Sequence, residues 1–171
     1  MDGMRSVAAR RMLVGFGAEN QGPLRVEGAG GRHDYHTFPE TLFSSREAGD
    51  LTFDITYKTR QDGTATVNFT YYAAQAAPSD SVRFEAGTVT LAGPVEKIYI
   101  EPEKKRWVHR YTFSVDADAL ARFFDPAAQP EATLYPAGGR PVRYHVQKSA
   151  WRDYAPVASK IFEMIRYNEA Q

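Results

Sequence analysis

The sequence predicts one mainly β domain, either an antiparallel sandwich or a strongly curved sheet, with a short helix and a C-terminal α-helix packed on it. Three observations favour this fold class. Apolar and polar residues alternate with a period of two in several stretches, glycine- and proline-containing turn signals separate those stretches, and a sustained helical spacing appears near the end of the chain. We therefore expect about seven to nine strands in a single domain over residues 1–171.

The part of the chain before residue 50 predicts short and interrupted strands. Residues 1–11 are expected to be disordered and residues 12–16 to form a first strand. Residues 17–32 contain five glycines and predict mainly loop, with room for a short strand near residues 24–27. A further strand is expected over residues 35–43, where a proline at position 39 would break it or keep it at a sheet edge.

The strongest pattern in the chain lies in residues 51–72. Apolar side chains occupy every second position from Leu51 to Tyr57, and the alternation resumes from Ala65 to Tyr71 after an Asp-Gly turn signal. A period of two on both sides of such a signal is typical of an antiparallel hairpin with one dry face and one wet face. We expect residues 51–72 to form this hairpin.

A second hairpin is predicted further along the chain. Residues 82–86 and 89–91 alternate in opposite phases, which indicates a bulge or a tight bend at Gly87. Residues 95–100 and 106–115 then flank a polar tip and predict two antiparallel strands.

Two short strands and a short helix follow the second hairpin. Asp116 is a suitable N-cap for a helix near residues 117–124, which a proline at position 126 would end. Short strands are expected near residues 132–135 and 142–146, separated by proline and glycine.

The end of the chain predicts an amphipathic helix over residues 154–168. We expect Asp153 to cap it and Pro156 to fall in its first turn, where a missing N–H costs little. Its apolar face would pack on the open face of the sheet through Ile161, Phe162 and Ile165.

The composition excludes several classes of site. The chain contains no cysteine, so disulfides, thiolate nucleophiles and cysteine metal sites are excluded. Its 21 basic and 21 acidic residues give a formal net charge of zero, which argues against a whole-protein attraction to nucleic acid or to an anionic membrane. No apolar run is long enough to predict a membrane-spanning helix. We expect a soluble, cytoplasmic protein without a cofactor.

Three groups of side chains are candidates for a site. The first is an aromatic pocket between the sheet and the C-terminal helix, because a histidine among aromatic rings can act as a base or contact a ligand. A half-buried histidine bonded to a neighbouring carbonyl is the alternative interpretation. The pocket would be lined by Tyr57, Tyr71, Trp107, His109 and Tyr111.

The second candidate is a metal site at His33, Asp34 and His36, since two imidazoles and a carboxylate suit a divalent ion. Histidines three positions apart on a strand point to opposite faces, so a polar loop is the alternative interpretation. His145 lies on the polar face of its strand and is interpreted as a solvated side chain.

The third candidate is a nucleic-acid surface near the tip of the second hairpin. Basic residues interleave there with two aromatic residues, and this combination can bind phosphates and stack on bases. A solvated hairpin tip is the alternative interpretation, because two glutamates lie nearby. The basic residues are Lys104, Lys105, Arg106 and Arg110.

No pattern in the chain is typical of a catalytic centre, and we therefore expect a non-catalytic protein-interaction or assembly domain. Ten tyrosines could furnish a contact surface, and sheet edges could support self-association into a homo-oligomer with a structural role. The alternatives are a small-molecule-binding domain or enzyme with the aromatic pocket, and nucleic-acid binding through residues 104–110.

Overall fold

The protein is described here from a computed structural model, which describes residues 19–21, 24–29, 32–58 and 63–169, with side chains for residues 34–58 and 63–167. The predictions of disorder over residues 1–11 and of a strand over residues 12–16 lie outside the described residues.

The described residues form twelve strands and two helices, and every strand pairing is antiparallel. The mainly β fold with a short helix and a C-terminal helix is thereby confirmed. The elements are β1 (Glu19–Gln21), β2 (Leu24–Ala29), β3 (Arg32–Thr37), β4 (Glu40–Ser45), β5 (Gly49–Lys58), β6 (Thr64–Ala73), β7 (Ser79–Ala86), β8 (Val89–Pro94), β9 (Glu96–Glu103), β10 (Arg106–Asp116), α1 (Ala117–Phe123), β11 (Glu131–Pro136), β12 (Val142–Val146) and α2 (Lys148–Glu169).

The strands form one curved, nearly closed sheet. Its path runs from β10 through β6, β5, β4, β12 and β11 to β7 and β8. Residues 89–103 then bring the two ends together, because β8 pairs with β7 and β9, which follows after one residue, pairs with β10. The twelve described strands exceed the predicted seven to nine, because β1 and β2 lie within residues 17–32, where mainly loop was predicted, and because one predicted strand is divided in two.

The strand predicted over residues 35–43 is divided between β3 and β4, which both pair with the same edge of β5. The two strands are separated at residues 38–39, where the sequence predicts an interruption by proline. At this break Thr37 Oγ1 accepts a hydrogen bond from the backbone N–H of Ile55 at 2.7 Å, so a side chain replaces the missing ladder bond. Strands β2 and β1 extend the sheet beyond β3.

Aromatic rings fill the inside of the curved sheet. Phe53 lies at their centre, with ring centroids 5.3 Å from Phe84, 6.2 Å from Phe123 and 6.1 Å from Phe124. The side chains of Phe53, Phe84 and Phe123 are completely buried. For Phe53 this burial is what the period-two pattern of residues 51–72 predicts for one face of its hairpin. The register of β5 with β6 confirms that hairpin.

The two helices cover the remaining opening of the core. As predicted, α1 is capped by Asp116, whose Oδ2 accepts a hydrogen bond from the backbone N–H of Ala119 at 2.9 Å. Helix α2 begins at Lys148, so the predicted start at residue 154 is wrong and Pro156 lies inside the helix rather than in its first turn. The indole N–H of Trp151 donates to the backbone oxygen of Asp125 at 3.0 Å and joins the new first turns of α2 to the segment after α1. Neither described helix is long and apolar enough to cross a membrane.

Candidate functional site

Three of the five predicted pocket residues lie together on β6 and β10. The His109 ring is completely buried and stacks on Tyr71 with a centroid distance of 4.7 Å, and Tyr111 stacks 6.0 Å from Tyr71. The Nε2–H of His109 donates to the backbone oxygen of Gln75 at 2.9 Å. Its buried Nδ1 has no hydrogen-bond partner among the residues that the structure describes.

A chain of hydroxyl groups continues this cluster. Tyr71 Oη lies 2.7 Å from Ser79 Oγ, and the backbone N–H of Ser79 donates to Tyr111 Oη at 2.9 Å. Burial raises the pKa of the Tyr71 hydroxyl far above its ordinary value, although the Ser79 hydrogen bond acts in the opposite direction. Burial also raises the pKa of Tyr144 to about 12. The Tyr71 and Tyr144 hydroxyls therefore stay protonated at neutral pH. The hydrogen bonds of His109 and Tyr111 fasten residues 74–78 to the sheet at Gln75 and Ser79.

The structure does not bring the other two predicted pocket residues into this cluster. Tyr71 faces Leu51 in the sheet register, so Tyr57 lies about 20 Å away along β5. Tyr57 instead packs edge-on against Phe162 at 6.0 Å. Phe162 is buried with Ile161 and Ile165, so side chains of α2 occupy the space in which the aromatic pocket was predicted. Trp107 lies in β10 opposite Ala73 and is only half-buried.

Arg110 belongs to a different group from the other basic residues of the predicted nucleic-acid surface. It forms a bidentate ion pair with Asp54, with Nη1–Oδ1 and Nη2–Oδ2 distances of 2.9 Å, and Nη1 also donates to Thr70 Oγ1 at 3.0 Å. Asn68 Nδ2 donates to Asp54 Oδ2 at 3.0 Å and lies 3.2 Å from Thr56 Oγ1. We call these five residues the Asp54–Arg110 cluster.

The Asp54–Arg110 cluster lies on the outer face of the sheet, yet it is shielded from solvent. Asp54 and Asn68 are 5% and 7% exposed. The hydrogen bonds that Arg110 donates to the Asp54 carboxylate raise the pKa of Arg110 despite its partial burial. Because its positive charge is neutralised inside the cluster, Arg110 is not available to a phosphate. Lys104, Lys105 and Arg106 are exposed around the hairpin tip, and the Arg106 guanidinium lies 3.7 Å above the Tyr72 ring.

The structure describes the side chains of only two of the three residues of the predicted metal site. Asp34 and His36 lie in β3, and His36 Nδ1 is 3.2 Å from Thr56 Oγ1, whereas the side chain of His33 lies outside the described residues. Over the part of the chain that the structure describes, no group of three histidine, aspartate or glutamate side chains is placed to hold a metal ion.

A polar cleft lies where β4 and β12 separate. The two strands pair only at His145↔Ser44 and Val146↔Phe43, whereas β12 pairs with β11 over four residues. β4 then ends and the chain turns into β5, and this leaves an open cleft of about 620 Å³. Residues 44–47 line one wall, and residues 141–143 with His145 line the other. We call this feature the β4–β12 cleft.

The backbone of β12 is open to this cleft at one residue in particular. The N–H of Gln147 donates to the backbone oxygen of Leu42 at 2.7 Å, on the β4 side. Backbone groups alternate sides along a strand, so Arg143, four residues earlier, directs its N–H and carbonyl to the same side. The ladder with β4 ends before it reaches Arg143. The cleft therefore contains an unpaired strand edge.

Opposite charges are unevenly distributed in the cleft. Arg46 and Arg143 approach from the two walls, and neither forms an ion pair with any residue that the structure describes. Glu47 is the acidic residue of the lining, and His145 Nδ1 lies 3.6 Å from Glu131 Oε1. The cleft is thus basic although the chain as a whole is neutral.

The sequence does not predict this cleft, because its two walls are about a hundred residues apart in the chain. His145 is predicted to be a solvated side chain, and no local pattern distinguishes either arginine. A local signal exists only for the turn, where Ser45-Arg46-Glu47-Ala48-Gly49 precedes the strongest strand pattern. Nothing in that signal predicts that β12 lies beside it.

Comparisons with known proteins add little to this description. No protein-family model matches the chain, and no curated protein matches it. A crystal structure of the human pre-T cell receptor is similar with a TM-score of 0.33 and 15% identity, over 66% of this chain and 93% of that chain. At this level of similarity the two chains need not share a fold or a function.

Proposed function

We propose that this chain is a non-catalytic protein-interaction domain that binds an extended segment of a partner protein in the β4–β12 cleft. The observation that carries the proposal is the unpaired edge of β12 at Arg143, which forms one wall of an open cleft. Extended peptides bind other proteins by adding a strand to such an edge, where backbone hydrogen bonds supply affinity.

The outer edge of β9 is less suitable for strand addition. β9 pairs with β10 on one side, but its register shifts at residues 97–99, which indicates a bulge next to the exposed Ile98. Pro102 lacks an N–H, and Glu101 and Glu103 add charge to the same strand. Bulges, prolines and charges are the features that protect edge strands from pairing. These features disfavour the self-association through β9 that sheet edges alone would suggest.

The packed interior of the sheet favours binding in the cleft rather than at an internal ligand site. The rings of Phe53, Phe84 and Phe123 pack together on the inside of the sheet, and Phe162 of α2 packs against Tyr57 of β5. The cleft volume of about 620 Å³ falls within the range of about 300–1,000 Å³ typical of pockets that hold small ligands. A few extended residues would fill a cleft of this size.

A selection of displayed random peptides on the immobilised protein tests the proposal. Enriched peptides, added to the isotope-labelled protein, should shift the amide resonances of residues 44–47 and 141–145. The proposal fails if no peptide is enriched, or if the enriched peptides shift only resonances elsewhere, for example in β9.

A matched pair of variants at one position separates backbone from side-chain recognition. Arg143→Gln removes the charge and keeps the amide, whereas Arg143→Pro also removes the N–H that faces the cleft. Because this N–H does not face β11, the proline variant should keep the fold. We expect Arg143→Pro to bind an enriched peptide about fivefold more weakly than Arg143→Gln. Equal binding by the two variants would contradict strand addition.

A further inference from the structure

We infer that the β4–β12 cleft selects an acidic segment and recognises its carboxylates through Arg46 and Arg143. This inference rests on the proposed function, since it names the chemistry of the segment that the cleft would bind.

The two guanidinium groups of the cleft differ from other arginines of the chain in their ion pairing. Arg83 and Arg152 each form an ion pair with a neighbouring carboxylate, at 3.2 and 3.7 Å. Arg46 and Arg143 instead have no ion-pair partner among the described residues, and each lies in one of the two segments that line the cleft. Two guanidinium groups on opposite walls can each donate a pair of hydrogen bonds to a carboxylate.

The cleft also contains hydroxyl groups next to the turn after β4. Ser45 Oγ accepts a hydrogen bond from the backbone N–H of Ala48 at 3.3 Å. Its own proton is not used in that bond, so the hydroxyl can donate to an anion in the cleft. Ser44 contributes a second hydroxyl group to the same wall.

The backbone N–H of Arg143 is a further hydrogen-bond donor in the cleft. A segment lying along β12 would accept a hydrogen bond from this amide while its side chains alternate between the two faces of the new strand. Its outward-facing carboxylates would then lie near the guanidinium of Arg143, and near Arg46 from the opposite wall. Glu47 also lines the cleft and disfavours anions beside it, which restricts where the acidic residues of the segment can lie.

Titration of the isotope-labelled full chain with tetraglutamate, tetraglutamine and inorganic phosphate tests the inference. Tetraglutamate should shift amide resonances of residues 44–47 and 141–145 with an affinity that falls as salt is added, and tetraglutamine should not. Arg46→Gln and Arg143→Gln should each weaken tetraglutamate binding about tenfold, whereas the control Arg152→Gln should leave it unchanged.

Each outcome supports or overturns a stated part of the account. Equal shifts with tetraglutamine, or tetraglutamate binding that survives both cleft substitutions, would overturn the acidic segment. If displayed selection then still enriched neutral cleft-binding peptides, the proposed function would stand without this inference. Phosphate binding in the cleft without any tetraglutamate binding would overturn the acidic segment and indicate a site for a small anion.

Discussion

The Asp54–Arg110 cluster and the β4–β12 cleft are two arginine-containing regions on the outside of the same sheet. In the cluster, Arg110 is held by both oxygens of a buried carboxylate and by Thr70. In the cleft, Arg46 and Arg143 have no ion pair with any described residue. A guanidinium that is satisfied inside the protein stabilises the fold, whereas one beside an unpaired strand edge is available to a partner. Substitutions in the cluster should therefore lower the free energy of unfolding, whereas substitutions in the cleft should weaken binding and leave stability nearly unchanged.

The largest effect on stability is expected in the cluster. Asp54→Ala leaves the partly buried Arg110 charge without its carboxylate and removes an acceptor from Asn68. Breaking such a pair from one side should lower the free energy of unfolding by about 3 kcal/mol, measured by urea denaturation. In the double variant with Arg110→Ala the loss should be smaller than the sum of the two single losses. A loss below about 1 kcal/mol for Asp54→Ala would show that this ion pair contributes no more to stability than an exposed one.

A smaller effect is expected from the interior phenols at alkaline pH. Tyr144 has its pKa raised by burial to about 12, above the ordinary value of about 10. As the pH rises past about 10, the unfolded chain releases this proton while the folded chain retains it, so the free energy of unfolding falls. Tyr144→Phe removes this contribution. Between about pH 8 and about pH 11, the free energy of unfolding of the variant should therefore fall by about 1 kcal/mol less than that of the unsubstituted chain.

Urea denaturation at the two pH values measures this difference. Tyr135→Phe is a suitable control, because Tyr135 is 36% exposed and Tyr144 is 1% exposed. An equal alkaline loss in the Tyr144→Phe variant and the unsubstituted chain would show that the Tyr144 hydroxyl is not protonated preferentially in the fold.

The smallest effect on stability is expected in the cleft. Arg46→Gln and Arg143→Gln should each change the free energy of unfolding by less than about 0.5 kcal/mol, because both side chains are exposed and unpaired with described residues. Their effect should appear in binding instead. A destabilisation close to that of Asp54→Ala would show that the arginines of the cleft are structural and would remove the contrast between the two regions.

Local patterns were sufficient to predict much of the fold. Residues 51–72 alternate without a break, and β5 and β6 pair as expected because one face is buried throughout. The start of α2 was placed too late because Pro156 is favourable in a first helical turn, and that preference outweighed the apolar Trp151 one turn upstream. Trp151 is 2% exposed, so tertiary packing extends the helix to Lys148.

The sites were less predictable, because they depend on pairings between distant parts of the chain. The partner of Arg110 lies 56 positions away on β5, and the sequence around residue 110 contains no sign of it. The cleft similarly depends on where β4 stops pairing with β12, which is a property of the sheet path. Tyr71, His109 and Tyr111 lie together because β6 and β10 pair directly, whereas Tyr57 lies at the end of β5 away from Leu51, which is the residue opposite Tyr71.

The most direct measurement of the central claim is amide hydrogen exchange at Arg143, in the full chain with and without tetraglutamate. If a segment adds to β12 in the cleft, the exchange of the Arg143 amide should slow markedly at saturating peptide, and exchange along β9 should stay the same. An unchanged Arg143 amide at a peptide concentration that saturates the resonance shifts would contradict strand addition in the cleft.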